Sequence, residues 1–159
     1  MVERIKIIGV ANSPYTRKML SILRYKHIPY EVHWGDVATH LSQLGIEPPR
    51  PILLPTVLLK KEGNIYEAAT DTTPIIRRLE NDYPARSIIP EDPALSFINY
   101  LLEDFGDEWV TKYMFHYRWH FAEDADNAGT ILPLSHAVNL PEDIHSDFKS
   151  IVAKRQIDR

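Results

Sequence analysis

Apolar residues open the chain as a tight run, Ile5, Ile7, Ile8 and Val10, with Gly9 inside it and polar Asn12 and Ser13 closing it. A near-continuous run of this kind predicts a strand buried on both faces. Pro14 suits a first helical position, where a missing N–H is harmless, and Tyr15, Met19, Ile22 and Leu23 then recur at helical spacing. Lys18, Arg24 and Lys26 fall outside that apolar set, and the helix is expected to end near His27, before Pro29. From Pro29 to Trp34 the residues alternate and are rich in β-branched and aromatic types, which predicts a second strand and a parallel β-α-β unit closed by Gly35 and Asp36.

Val37 to Leu44 fits a short helix, after which Gly45, Pro48, Pro49, Pro51 and Pro55 impose an irregular connection. Ile52, Leu53 and Leu54 are interleaved with those prolines, so the connection reads as a shaped loop. Thr56–Lys60 and Ile65–Ala68 flank the turn signal Lys61–Asn64 and predict an antiparallel hairpin. Asp71 then offers an N-cap, and Pro74 an early helical proline, for a helix that turns Ile75, Ile76 and Leu79 inward. The order β-α-β, loop, β-β-α over residues 3–82 implies a mixed sheet with helices against it.

Residues 83–93 carry Pro84, Pro90 and Pro93 and read as a linker. Beyond it, Leu95, Ile98, Leu101, Leu102, Phe105, Trp109, Tyr113 and Phe115 follow a long helical pattern to about Phe121, interrupted only by Gly106, a candidate kink. From Asp126 onward the signals weaken: Ala137–Leu140 and Phe148, Ile151 and Val152 are expected anchors, and Pro133 and Pro141 are expected breakers around one or two further helices.

Composition narrows the function more than the fold. The 159 residues suffice for one sizeable core or two small units. Charged residues make up 25% and hydrophobic ones 44%, a globular profile. With Asp+Glu 22 against Lys+Arg 18, the formal charge of −4 gives no electrostatic footprint for nucleic acid or an anionic membrane. No apolar stretch approaches the roughly 20 residues that span a bilayer, and the acidic Glu3 and short apolar run at the start do not make a signal peptide, so a cytoplasmic location is expected. Cysteine is absent, so any thiol chemistry needs a thiol brought by a ligand.

Three motifs in order, Ser13-Pro14-Tyr15-Thr16-Arg17-Lys18 after the first strand, Leu54-Pro55 before the third, and Asp71-Thr72 opening the third helix, resemble the cytosolic glutathione transferase superfamily. The resemblance implies an α/β thioredoxin-like N-terminal domain over 1–82, a linker over 83–93 and an all-α C-terminal domain over 94–159, shorter than the helical domain usual in that superfamily. It implies glutathione as co-substrate and attack of its thiolate on a small-molecule electrophile, in a protein able to form a homodimer. A non-catalytic binding module on the same fold is the alternative.

The resemblance places Ser13 beside the glutathione sulfur, as the serine or cysteine of the similar SPF and CPF motifs is placed. A hydroxyl donor at a helix N-terminus lowers a thiol pKa from about 8.5. The same residue is also what ordinary N-capping selects, so both roles stay open. Asn12 and Tyr15 are alternative donors, Tyr15 being also suited to the helix's inner face. Leu54-Pro55 matches the superfamily's cis-proline position, which pairs with the cysteinyl unit. Asp71 and Thr72 match the pair that holds the γ-glutamyl group, with threonine where serine is commoner, and Asp71 is equally a plain N-cap. Arg50 is a candidate for the glycyl carboxylate, though a solvated arginine is the commoner outcome. Trp109, Tyr113, Tyr117 and Trp119 are expected mostly in a core, with Tyr113 and Tyr117 candidates for the electrophile pocket wall. His116 and His120 sit one helical turn apart, a spacing that suits a metal, but no motif fixes a third ligand, and no metal is assigned.

Overall fold

The computed structural model describes residues 4–61 and 65–158, and of His136 the backbone only. By its internal contacts the chain divides into two units, one ending at Ile88 and one starting at Ile89.

In the first unit the elements run β1 (Ile5–Gly9), α1 (Pro14–Tyr25), β2 (Tyr30–Trp34), α2 (Val37–Leu44), β3 (Thr56–Lys60), β4 (Tyr66–Ala69) and α3 (Thr72–Asp82). The strands form a four-stranded sheet in the order β2-β1-β3-β4. β1 runs parallel to β2, with Ile7 opposite Val32, and antiparallel to β3, with Ile8 opposite Thr56. β3 pairs antiparallel with β4, Val57 opposite Ala69. This is the mixed sheet expected from the pattern. The turn proposed at Lys61–Asn64 lies, beyond Lys61, outside the described residues.

The period of two along the strands builds two cores. Ile7, Val57 and Leu59 face one side and pack with Met19, Leu20 and Leu23 of α1 and Ile75, Ile76 and Leu79 of α3. Ile8 and Leu58 face the other and meet Val37 and Leu41 of α2. The near-continuous apolar run in β1 is therefore buried on both faces, Ile7 and Ile8 completely. Gly9 is required where β1 leaves the sheet: a Cβ there would lie 2.8 Å from the side chain of the fully buried Thr16.

The end of α1 is tied to α3. Lys26, grouped above with the polar positions, has a fully buried side chain whose Nζ lies 2.7 Å from Glu80 Oε1 of α3 and also donates to the Ala85 carbonyl at 3.3 Å. α1 ends in a left-handed His27 (φ 56°), whose N–H donates to Arg24 O while Ile28 N–H reaches Leu23 O at 2.9 Å. This closure satisfies the last helical carbonyls and brings Ile28 onto the core beside Leu23.

The second unit is helical: α4 (Pro93–Phe105), a π-helical turn (Gly106–Val110), α5 (Thr111–Trp119), α6 (Ala122–His136) and α7 (Glu142–Ile157). The interruption expected at Gly106 is this π turn, a widened stretch between two α-helices rather than a simple kink. Pro133 does not break α6 but sits inside it, fully buried in its last turn, where few following residues depend on the lost bond. Gly129 lets α6 approach α7, its Cα side meeting the Lys149 stem, and Lys149 pairs with Asp126.

The expected aromatic core is largely not formed. Trp119 is buried, whereas Trp109, Tyr113 and Tyr117 are half or more exposed, because α4 and α5 turn much of their apolar stripe to solvent; α4 buries no residue. Val138 and Ile151, expected as anchors, are exposed too, while Phe148 and Val152 are partly covered.

Candidate functional site

The sheet topology brings three motifs to one end of the first unit. β1 ends at Gly9 and leads to Ser13; antiparallel β3 begins at Thr56, opposite Ile8, directly after Pro55; β4 ends at Ala69, opposite Val57, two residues before Asp71. Three connections therefore emerge side by side from the same edge of the sheet, two of them leading into helix N-termini, those of α1 and α3.

Ser13 is the N-cap of α1 and only 8% exposed; its Oγ accepts from Thr16 N–H at 3.2 Å. A hydroxyl that accepts a cap bond keeps its own proton to donate, so capping and donation to a thiolate are compatible at this atom. Tyr15 is half-buried rather than fully in the core.

The Leu54–Pro55 peptide bond is cis, and so is Arg50–Pro51, which the sequence reading did not anticipate. Pro55 is buried, Leu54 partly so, and Thr56 Oγ1 donates to Leu53 O at 2.9 Å, tying the loop's end to β3. Arg50 is exposed.

Asp71 caps α3, its Oδ1 accepting from Thr73 N–H at 3.1 Å, and it does so at φ 71°, ψ 117°. A non-glycine residue held at positive φ stores backbone strain, a feature that clusters at ligand sites. Asp71 itself is exposed and Thr72 buried, so the carboxylate is open to solvent at the α3 N-terminus and the threonine side chain is fixed. Arg17, quoted in the motif four residues after Ser13 and given no role there, donates from its Nε to the Ala11 carbonyl at 2.8 Å.

Tyr113 and Tyr117 belong to the helical unit and are exposed. His116 and His120 stack with ring centroids 4.5 Å apart. Among the described residues no group of three or more His, Cys, Asp or Glu is placed to hold a metal ion.

Residues 7–87, just over half of the chain, match the family model of the glutathione S-transferase N-terminal domain. The chain belongs to this family. Its first unit is accordingly a thioredoxin-like domain of the glutathione S-transferase type, followed by a mostly helical remainder. Solved glutathione transferases and a related isomerase are similar to the chain in fold. A glutathione transferase homolog from Burkholderia gl BGR1, crystallised with bound glutathione, has a TM-score of 0.54 at 12% identity over 98% of this chain and 82% of that one. A maleylacetoacetate isomerase from Anaeromyxobacter dehalogenans with glutathione in its active site gives 0.53 at 14% identity over 96% and 82%. Glutathione transferase Omega 1C from Trametes versicolor gives 0.58 at 11% identity over 92% and 67%. Likeness at these identities is one of fold. No curated protein sequence matches the chain.

Proposed function

We propose that this glutathione S-transferase family member binds glutathione at the α1 and α3 N-termini and activates its thiolate for attack on a small electrophile. The observation that carries the reading is Ser13: a nearly buried hydroxyl that caps α1 with a lone pair and retains a proton to donate beside a helix N-terminus. In this reading the hydroxyl stabilises the thiolate without acting as nucleophile, and binding and orientation supply most of the acceleration. Asp71 takes the γ-glutamyl ammonium while Thr72 and the α3 N-terminal N–H groups take its carboxylate. The backbone at Leu54 and Pro55 pairs with the cysteinyl unit, Tyr15 lies at the edge of the site, and Arg50 meets the glycyl carboxylate. Residues 1–82 form the glutathione-binding domain, 83–93 the linker and 94–159 the helical domain, where Tyr113 and Tyr117 contribute to the electrophile pocket. The relatives crystallised with glutathione support this reading by their ligands.

A homodimer in the cytoplasm is the proposed setting. Among the described residues no helix is long and apolar enough to cross a membrane. A second reading, a non-catalytic module on the same fold, is favoured by the exposed apolar residues of the helical unit, a surface suited to binding a partner. Titrating glutathione into the protein and then assaying conjugation and thiol-dependent reduction on a panel of electrophiles separates the two. Binding with turnover supports the transferase, binding without turnover the module, and no binding contradicts both.

A further inference from the structure

The turn that carries Ser13 is gripped from one helical turn further along. Ser13 N–H donates to Val10 O at 3.1 Å, closing the turn after β1. Arg17 then holds both of its sides: its backbone N–H donates to Ser13 O at 3.1 Å, and its Nε donates to Ala11 O at 2.8 Å. The Arg17 carbonyl in turn accepts from Ser21 Oγ at 2.9 Å.

The side-chain bond matters because of where rotation remains. Pro14 restricts the backbone of the residue before it, so Ser13 itself has little torsional freedom. Ala11 and Asn12 are the central residues of the turn that the bond from Ser13 N–H to Val10 O closes. Type I and type II turns share that bond while differing in the orientation of the peptide between these residues, so the Ala11–Asn12 peptide is the unit the bond leaves unset. Ala11 is exposed, and its carbonyl would otherwise exchange among water molecules. A guanidinium N–H to a carbonyl is a charge-assisted bond with a fixed direction, and it sets the plane of the Ala11–Asn12 peptide.

We propose that Arg17 is a positioning residue: by fixing the Ala11 carbonyl it sets the direction in which the Ser13 hydroxyl donates, and through it the fraction of bound glutathione that is thiolate. This rests on the proposed function. A donor misaimed by a fraction of an ångström loses much of a charge-assisted bond, so the effect is read in thiol ionisation rather than in folding.

The test follows thiolate absorbance of glutathione bound to wild type, Arg17→Met and Arg17→Lys as pH rises, with the melting temperature of each. Arg17→Met keeps the apolar stem and loses every donor; Arg17→Lys keeps a charged donor without the planar fork. In Arg17→Met the bound thiol is expected to ionise about half to one pH unit higher, a three- to tenfold smaller thiolate-to-thiol ratio at neutral pH, with a smaller shift of the same sign in Arg17→Lys. A role in stability alone would move the melting temperature and leave the ionisation of the bound thiol in place, which overturns the proposal. Should Arg17→Met fail to fold, Arg17→Lys decides by the same shift. If wild type itself neither binds nor ionises glutathione, the functional reading falls, and this role with it; that result needs no variant, so the two failures are read from different samples.

Discussion

Asp71 sits at φ 71°, ψ 117°, a conformation that costs a residue with a side chain about 1–3 kcal/mol, while its carboxylate caps α3. Glycine tolerates that conformation and, as an N-cap, is only a few tenths of a kcal/mol poorer. Asp71→Gly is therefore expected to leave stability equal or raised by about 1 kcal/mol, and to weaken glutathione binding tenfold or more if the carboxylate holds the ammonium. Denaturant unfolding and calorimetry check the two halves separately. A loss of stability would make Asp71 a structural cap, and unchanged affinity would remove it from the site. The sequence marked Asp71 as both cap and ligand because the two uses need the same atom at the same helix end. It carried no sign of the strained backbone, which depends on how β4 hands the chain to α3.

Lys26 and Glu80 join the end of α1 to α3 across a gap of 54 residues in sequence, a pairing that no local pattern reveals. The strands and first helices were legible for the opposite reason: each buries a face against the sheet, and a buried face prints its own period on the sequence. Burial pushes the Glu80 carboxyl up, but hydrogen bonds from Lys26, Ser87 and the Ile88 N–H, together with the Lys26 charge, outweigh it and hold the group below its ordinary value. A carboxyl lowered on folding adds stability that is fully present above its unfolded pKa of about 4.3 and is lost as pH falls through the folded value. Unfolding free energies measured from neutral pH into the acid range should thus decline below about pH 5, with a shallower decline in Glu80→Gln. Equal slopes would show that Glu80 is not the group responsible. The packing of α4 and α5 was not legible, since helical spacing announces an apolar stripe without saying what covers it.

Uncovered apolar surface governs how the molecule should behave in solution. Phe97, Leu102 and Leu95 are 61%, 65% and 56% exposed along α4, Leu95 and Leu102 on one face of the helix and Phe97 on the opposite one, so apolar surface is open on both sides of it. Concentration-dependent association is expected, measured by sedimentation velocity, with Phe97→Glu and Leu102→Glu shifting the population toward monomer. A monomer at every concentration would contradict the proposed homodimer. The first unit, by contrast, closes both of its cores on its own sheet, and it is there that the family match and the candidate site coincide. The most direct test of the functional reading is therefore the ionisation of glutathione on Ser13→Gly, a substitution that retains an acceptable N-cap but has no hydroxyl. Thiolate absorbance of bound glutathione, followed from about pH 6 to about pH 9, should appear at lower pH in wild type than in Ser13→Gly, with stability changed by only a few tenths of a kcal/mol. Coincident titration curves would contradict the account and leave Ser13 a helix cap alone.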